Sequence, residues 1–449
     1  MLSLPRVAVG TIQADADPRP ALCAFIEFLR EHDLQVQSFL SRACFNAYRS
    51  MAAASGSSPR HLDSWLMSAD LCREIFIHGS ETCDLAIVEG CFQTVEEGNG
   101  EIGGRLEPLC DWLDLPKLAV VDASTLDGRI ADNLAGRADG LLIDMAGGQG
   151  DSERTAEEFE TRYGVPVLGT LKRTAGSREG LPGEPDDCHL PELSRRSQSR
   201  FVARWSPERI LQLASRRAVA DVPLAKFRDE YSTADVTIAL AYDDAFNCYF
   251  PDTLDLLESR GATLLDFSPL GDEELPEDVD IVYIGCGHPE RHADELVHNH
   301  CMIHSLRQHL RGGGRIYAEG GGLAYLCQEM EAADGHNHRM AGVFPAVALC
   351  NEKLGPAKPV ELTVDRPTWL AAEGTGLRGY RNPLWHLQPT GYLTSCVEGS
   401  ENPYDMVGNF RAIGSLLHID FAANEELSSR FFDPNSCDSD STDPWTMMT

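Results

Sequence analysis

The chain has 449 residues, 43% of them hydrophobic, so it is long enough for two or three domains with sizeable cores. Its formal net charge of −32 argues against nucleic acid or an anionic membrane as a partner. No apolar run approaches a membrane span, and the N-terminus lacks the apolar stretch of a signal peptide. The 14 cysteines are scattered without a CxxC pair, which is typical of reduced thiols in a cytoplasmic protein.

The first half of the chain alternates short apolar strands with helix-length segments. This order predicts a parallel, doubly wound α/β sheet. The predicted strands are 6–10, 34–39, 84–90, 118–123, 140–144 and 165–169, and the predicted helices are 21–30 and 207–218. A segment rich in Gly, Pro and charge, 174–199, is predicted to be a surface loop. We assign 1–220 to a first domain and 221–235 to a linker.

The second half restarts the same order and predicts a second doubly wound domain at 236–432. Its predicted strands are 236–242, 262–267, 281–284, 315–318, 340–347, 360–364 and a late strand 408–421 with His418 near its end. Its predicted helices include 251–260 and 424–432. The remainder, 433–449, is an acidic, Ser-rich tail that we expect to be disordered.

The second domain is organised around a βαβ unit at 281–326. A sharp strand-to-helix turn at the carboxyl end of a parallel sheet is where an α/β protein can hold a nucleophile. Here that turn reads Glu319-Gly320-Gly321-Gly322, and we call these four residues the elbow. The apex of the elbow therefore carries no side chain.

The turn after the first strand is where a phosphate-binding loop would lie. Such a loop needs glycines, a Lys and a hydroxyl for Mg²⁺. The chain has Gly10 and Thr11 followed by Asp15, Asp17 and Pro18, so two negative charges replace the cation. We predict a structural βα turn here. Glu89, at the end of another strand, suits an Mg²⁺-facing acid, but a lone Glu is weak support.

Several segments resemble the cobyrinate a,c-diamide synthase family of corrinoid biosynthesis. The similarity is strongest at 236–326, in Phe-Ser-Pro-Leu, Leu-Pro-Glu-Asp-Val-Asp, Gly-His-Pro-Glu-Arg-His-Ala and Tyr-Ala-Glu, and extends to the His segment at 414–427. Further similar stretches in the first half are 60–67 and 86–90. The resemblance therefore covers most of 5–432.

The resemblance implies two domains with different chemistry. The first would resemble dethiobiotin synthetase, a P-loop-like fold that binds ATP and Mg²⁺ and activates a carboxylate as an acyl phosphate. The second would resemble class I glutamine amidotransferases, in which an elbow Cys attacks glutamine, a His acts as base, and ammonia passes to the activated acid. Such a Cys must become a thiolate to react.

Residue by residue, this chain departs from that pattern in both domains. The elbow Cys falls on Gly320, although the base falls on His418, which is present. The P-loop Lys and Thr fall on Asp17 and Pro18, so the first domain is expected to be degenerate. The family positions that do match are Asp63 and Glu89, and with Gly10 and Thr11 they are the candidate cofactor-binding residues.

No other thiol is expected to replace the elbow Cys. Cys327 lies seven residues after Gly320, about 10 Å along a helix. Cys286 lies in the turn where the family places oxyanion-hole backbone, and it has no helix N-terminus to lower its pKa. The histidines at 288, 292 and 298–304 suggest metal ligation at first sight, but we interpret them as solvated and predict no metal site.

The sequence thus predicts a cobyrinate a,c-diamide synthase-like protein that is catalytically impaired. The alternative is an active, ATP-dependent amidoligase that uses free ammonia. The family uses ATP and Mg²⁺, whereas no cofactor is predicted for this chain. We expect a small-molecule ligand in an interdomain cleft, neutral or cationic, or a partner protein. The sequence is also compatible with a homo-oligomer and with a purely structural role.

Overall fold

The computed structural model describes twelve stretches of the chain: 4–13, 19–42, 48–92, 103–123, 137–146, 151–173, 207–217, 226–227, 236–332, 335–351, 357–409 and 411–432. The chain divides into two compact units, Met1–Leu224 and Ala225–Thr449. Some sequence predictions lie outside the described residues: the loop 174–199, most of the linker, the tail 433–449, and Asp15, Asp17 and Pro18.

The first unit is built on one seven-stranded sheet whose pairings are all parallel. Its strands are β1 (Arg6–Thr11), β2 (Val36–Leu40), β3 (Arg60–His61), β4 (Leu85–Cys91), β5 (Lys117–Asp122), β6 (Gly140–Ala146) and β7 (Val167–Arg173). Their order across the sheet is β3-β2-β4-β1-β5-β6-β7. Its helices are α1 (Arg19–Glu31), α2 (Tyr48–Ser55), α3 (Ala69–Gly79), α4 (Leu106–Trp112), α5 (Ser152–Tyr163) and α6 (Pro207–Ala214).

Continuous apolar runs explain this sheet. Strands covered by helices on both faces bury every residue, so they lack the alternation of a half-exposed strand. In β4, Leu85 to Val88 are completely buried. On α1, Phe25, Ile26 and Leu29 pack into the same core as Val7 and Val9.

The second unit contains a six-stranded sheet of order β10-β8-β11-β13-β22-β21 and three smaller sheets. Its strands are β8 (Val236–Ala241), β9 (Phe246–Cys248), β10 (Ala262–Phe267), β11 (Ile281–Ile284), β12 (Cys286–Gly287), β13 (Arg315–Glu319), β14 (Cys327–Glu331), β15 (Asn337–Arg339), β16 (Phe344–Cys350), β17 (Lys358–Val364), β18 (Gly376–Arg381), β19 (Trp385–Pro389), β20 (Val397–Glu398), β21 (Met406–Gly408), β22 (Ala412–Ser415) and β23 (Leu417–His418). Its helices are α7 (Pro251–Ser259), α8 (Ala293–His298), α9 (His300–Arg311), α10 (Gly321–Leu326) and α11 (Glu425–Phe431). Only the edge strand β21 runs antiparallel in the six-stranded sheet.

The α/β class predicted from the sequence is confirmed, with two largely parallel sheets. The late strand, however, is not continuous over 408–421. After Ser415, whose hydroxyl accepts the amide of Leu417 at 3.0 Å, the chain leaves the six-stranded sheet. β23 then pairs with β18 in another sheet, placing His418 opposite Tyr380. This break allows His418 to reach the elbow.

The strand predicted at 340–347 instead begins at Phe344. The residues just before it are hydrogen-bonded to the end of α10. The amides of Ala341, Gly342 and Val343 donate to the carbonyls of Tyr325, Cys327 and Leu326. Apolar composition alone could not distinguish this turn from a strand. None of the helices in the described part of the chain has the length and apolarity needed to cross a membrane.

Candidate active site

The elbow has the backbone of a sharp strand-to-helix turn. Gly320 caps α10 with φ +51° and ψ −109°, a combination that side chains rarely adopt. Its amide donates to the carbonyl of Ser415 at 2.7 Å, and its carbonyl accepts the amide of Ala324 at 3.1 Å. The turn thus retains its shape although its apex carries no side chain.

A second elbow glycine is required by packing. A Cβ on Gly322 would lie 2.3 Å from the carbonyl oxygen of Ile284, at the end of β11. The amide of Gly322 donates to the carbonyl of Gly285 at 3.2 Å. Glycine here lets α10 begin directly against the end of the neighbouring strand, which brings the 284–287 turn beside Gly320.

We expect Gly320→Ala to lower the free energy of unfolding by about 2–5 kcal/mol, from backbone strain plus overpacking. The new Cβ would lie 2.9 Å from the Sγ atom of Cys286. Gly374→Ala is the matched control, because Gly374 also has a positive φ, +86°, but no atom within 4 Å of an added Cβ. The control should cost about 1–2 kcal/mol. Urea unfolding of both variants measures the two losses of unfolding free energy. Equal losses would show that the Cys286 sulfur does not crowd a side chain at position 320.

Glu319 and His418 form a fully buried pair beside the elbow. Glu319 ends β13, and His418 ends β23, 99 residues later. Their side chains are joined by a 2.6 Å contact between Nδ1 and Oε2. The Tyr317 hydroxyl donates to Oε1 of Glu319 at 2.7 Å, and the ring of Phe250 stacks on the imidazole at a centroid distance of 3.9 Å. The predicted base His418 is therefore held in one orientation. The sequence had placed Glu319 in the elbow but had not paired it with His418.

Cys286 lies at the elbow, although the sequence placed it only in the preceding turn. Its Sγ atom is 2.9 Å from the point where a Cβ of residue 320 would stand. The thiol thus fills the space that an elbow side chain would need. The sequence signal was available, because this Cys interrupts the Gly-rich turn Gly285-Cys286-Gly287 that faces the elbow. Cys327, by contrast, is buried at the far end of α10.

Burial raises the pKa of the Cys286 thiol well above its ordinary value, and the negative charge of Glu319 raises it further. Only 1% of the residue is exposed. A thiol that is buried and protonated is a poor nucleophile. In its resting form this sulfur is therefore not activated.

We expect Cys286 to resist alkylation in the folded protein at neutral pH. Iodoacetamide should label the exposed Cys301 much faster, as peptide mapping by mass spectrometry would show. Because the pKa of Cys286 is raised, its thiol stays protonated in the folded state through the pH range in which an ordinary thiol ionises, around 8.5. Raising the pH to 9 should thus leave its labelling slow. Equal labelling of the two cysteines would overturn this assignment.

The other histidines of the 288–304 segment are not part of this cluster. His288 pairs with Glu290 at 2.9 Å, and His292 pairs with Glu295 at 2.8 Å. The former pair is mostly buried, so the prediction of solvated histidines does not hold for His288.

The first unit brings three of its four predicted binding residues together. Gly10 and Thr11 end β1, and Glu89 lies near the end of β4, the adjacent strand. A Cβ on Gly10 would lie 2.5 Å from the carbonyl oxygen of Gly90, so the two strand ends approach closely. Gln13 closes the turn, since its amide group makes reciprocal hydrogen bonds with the backbone of Asp122 at 2.8 and 3.2 Å.

Asp63 has a structural role in the described structure. It is buried after β3, and its Oδ1 atom accepts the amides of Trp65 and Leu66 at 2.8 and 3.0 Å. A side chain of this type organises a turn by replacing backbone acceptors. Its assignment as a cofactor-binding residue stays a prediction.

The second unit thus combines a largely parallel sheet, a sharp strand-to-helix elbow and an adjacent buried His. Residues 237–383 match the family model of the CobB/CobQ-like glutamine amidotransferase domain. A solved structure described as a glutamine amidotransferase covers 44% of this chain and 96% of its own, with 14% identity and a TM-score of 0.33.

Two curated relatives extend the similarity over both units. A cobyrinate a,c-diamide synthase of Syntrophotalea carbinolica is 30% identical over 401 residues, covering 84% of this chain and 85% of the relative. A cobyrinate a,c-diamide synthase of Dehalococcoides mccartyi is 28% identical over 459 residues, covering 96% and 98%. The chain belongs to the cobyrinate a,c-diamide synthase family.

Proposed function

We propose that this chain is a cytoplasmic, cobyrinate a,c-diamide synthase-like protein of corrinoid biosynthesis that has lost glutamine hydrolysis. The observation that carries the proposal is the glycine at the apex of an otherwise intact elbow. The scattered cysteines without a CxxC pair support the compartment.

The proposed loss follows from what the site retains. His418 and Glu319 remain as a base and its orienting group, but the residue between the strand and the helix offers no nucleophile. Removing the nucleophile of a catalytic triad has cost about 10⁶-fold in rate in a well-studied protease. The neighbouring Cys286 thiol is protonated and buried, so it does not compensate in the resting protein.

Glutamate release from glutamine tests this proposal. The full chain should release no glutamate above the level of a boiled sample, with or without cobyrinate and Mg²⁺·ATP. Cys286→Ala should leave that result unchanged. Release that disappears in Cys286→Ala would overturn the proposal and identify a relocated nucleophile.

The second candidate is an ATP-dependent amidoligase that uses free ammonia. It is favoured by the close approach of Gly10, Thr11 and Glu89 at adjacent strand ends, where parallel α/β sheets bind ligands. Loss of the elbow nucleophile would remove only its ammonia supply. Mass spectrometry of cobyrinate incubated with the protein, Mg²⁺·ATP and ammonium decides between the two candidates. Formation of amidated cobyrinate would establish the ammonia-using amidoligase.

A further inference from the structure

Three side chains at the elbow present different donor atoms to one another. The Sγ of Cys286, a carboxylate oxygen of Glu319 and a ring nitrogen of His418 all lie within 4.8 Å of one another. Each residue is at most 1% exposed. They come from the ends of three different strands, β12, β13 and β23, so the protein scaffold positions them.

The charge of this cluster suits a divalent cation. A carboxylate is costly to bury unless it is paired or coordinates a metal. A thiolate and a carboxylate supply two negative charges, and a neutral imidazole adds a third ligand without charge. An ion of charge +2 would therefore leave the buried cluster neutral.

The surroundings hold the donors in the way that metal ligands are usually held. Oε1 of Glu319 accepts the Tyr317 hydroxyl at 2.7 Å and the amide of Ile419 at 3.4 Å. The Phe250 ring covers one face of the imidazole. Hydrogen bonds of this kind orient the ligands of a metal and commonly change its affinity about 10–100-fold.

The donor types select the ion. Thiolate and imidazole together favour Zn²⁺ over Mg²⁺ or Ca²⁺, which prefer oxygen ligands. We propose that Cys286, Glu319 and His418 bind one Zn²⁺ ion, with a fourth position left for water or a ligand group. The inference rests on the proposed loss of glutamine hydrolysis, because the sulfur is here a ligand and not a nucleophile.

The proposed binding requires small movements and the release of a proton. Tetrahedral zinc, with bonds of about 2.0–2.3 Å, places its donors about 3.3–3.8 Å apart, so the cluster must adjust by about 1 Å. Three bonds form, from Sγ of Cys286, from a carboxylate oxygen of Glu319 and from a ring nitrogen of His418 that carries no proton, and the 2.6 Å hydrogen bond between Nδ1 and Oε2 opens to admit the ion. The thiol proton leaves to solvent, so zinc affinity should rise with pH.

Metal titration of the full chain tests the site. After treatment with EDTA and its removal, the protein should take up one equivalent of Zn²⁺ in competition with a chromogenic chelator. Cys286→Ala and His418→Ala should each weaken zinc binding by more than about 100-fold. Loss of a residue that only hydrogen-bonds to a metal ligand usually weakens binding less than this. Cys301→Ala removes an exposed thiol and is the matched control, with no expected change.

Cobalt gives a readout that does not depend on a variant folding correctly. Co²⁺ added to the EDTA-treated wild-type protein should produce a near-ultraviolet thiolate-to-metal charge-transfer band. Absence of that band, no stoichiometric zinc, or zinc binding that survives both substitutions would overturn the site. Glutamate release by the EDTA-treated protein is measured in parallel. Release there contradicts the proposed function, whereas metal uptake decides the zinc site by itself.

Discussion

The double variant Cys286→Gly/Gly320→Cys should hydrolyse glutamine at least about 100-fold faster than the wild-type chain. The thiol would then stand on the elbow backbone, beside a His418 that Glu319 already holds. Removal of such a nucleophile has cost about 10⁶-fold, so even a poorly restored site should give a clear signal. Glutamate release under reducing conditions measures the rate.

Both single variants serve as controls for the exchange. Gly320→Cys alone should recover much less activity, because its Cβ would stand 2.9 Å from the Cys286 sulfur. Cys286→Gly alone removes the crowding but supplies no nucleophile, so it should stay inactive. If Cys286→Gly instead abolished activity that the wild type possessed, the sulfur at position 286 would be the nucleophile and the loss of function would be refuted.

The wild-type chain should show no micromolar affinity for Mg²⁺·ATP. By the family resemblance, Asp15 and Asp17 fall where a phosphate loop needs a cation, and both residues lie outside the described structure. Each charge a few ångströms from a phosphate costs on the order of 1 kcal/mol even in water. Isothermal titration calorimetry measures the affinity, and a micromolar dissociation constant would contradict this prediction.

Replacing the two loop residues should reverse the effect. Asp17→Lys/Pro18→Thr exchanges repulsion for attraction, so we expect Mg²⁺·ATP to bind at least about tenfold tighter than to the wild type. Asp111→Lys makes the same change of charge at an exposed position in the last turn of α4. That control should leave the affinity unchanged. An equal gain in both variants would show that overall charge, and not the loop, controls binding.

Local sequence was enough to predict the two largely parallel sheets and the elbow, but not the three smaller sheets. Parallel strands buried on both faces are continuous apolar runs, and β1, β4, β8 and β11 were found from that property alone. The glycine at position 320 was visible as a missing side chain. Resemblance of several segments to one family also predicted the membership that a relative 30% identical over 84% of the chain confirms.

Only the tertiary structure decided what surrounds that glycine. Cys286 precedes it by 34 positions and His418 follows it by 98, so no local period relates them. They meet because parallel strands β11 and β13 end at the same edge of the sheet. They also meet because β22 ends at Ser415 and the chain continues as β23 in another sheet. The 2.9 Å distance between the Cys286 sulfur and a Cβ built on Gly320 depends on that packing. The sequence determined that position 320 carries no side chain, whereas the fold decided that the thiol of Cys286 lies where such a side chain would stand.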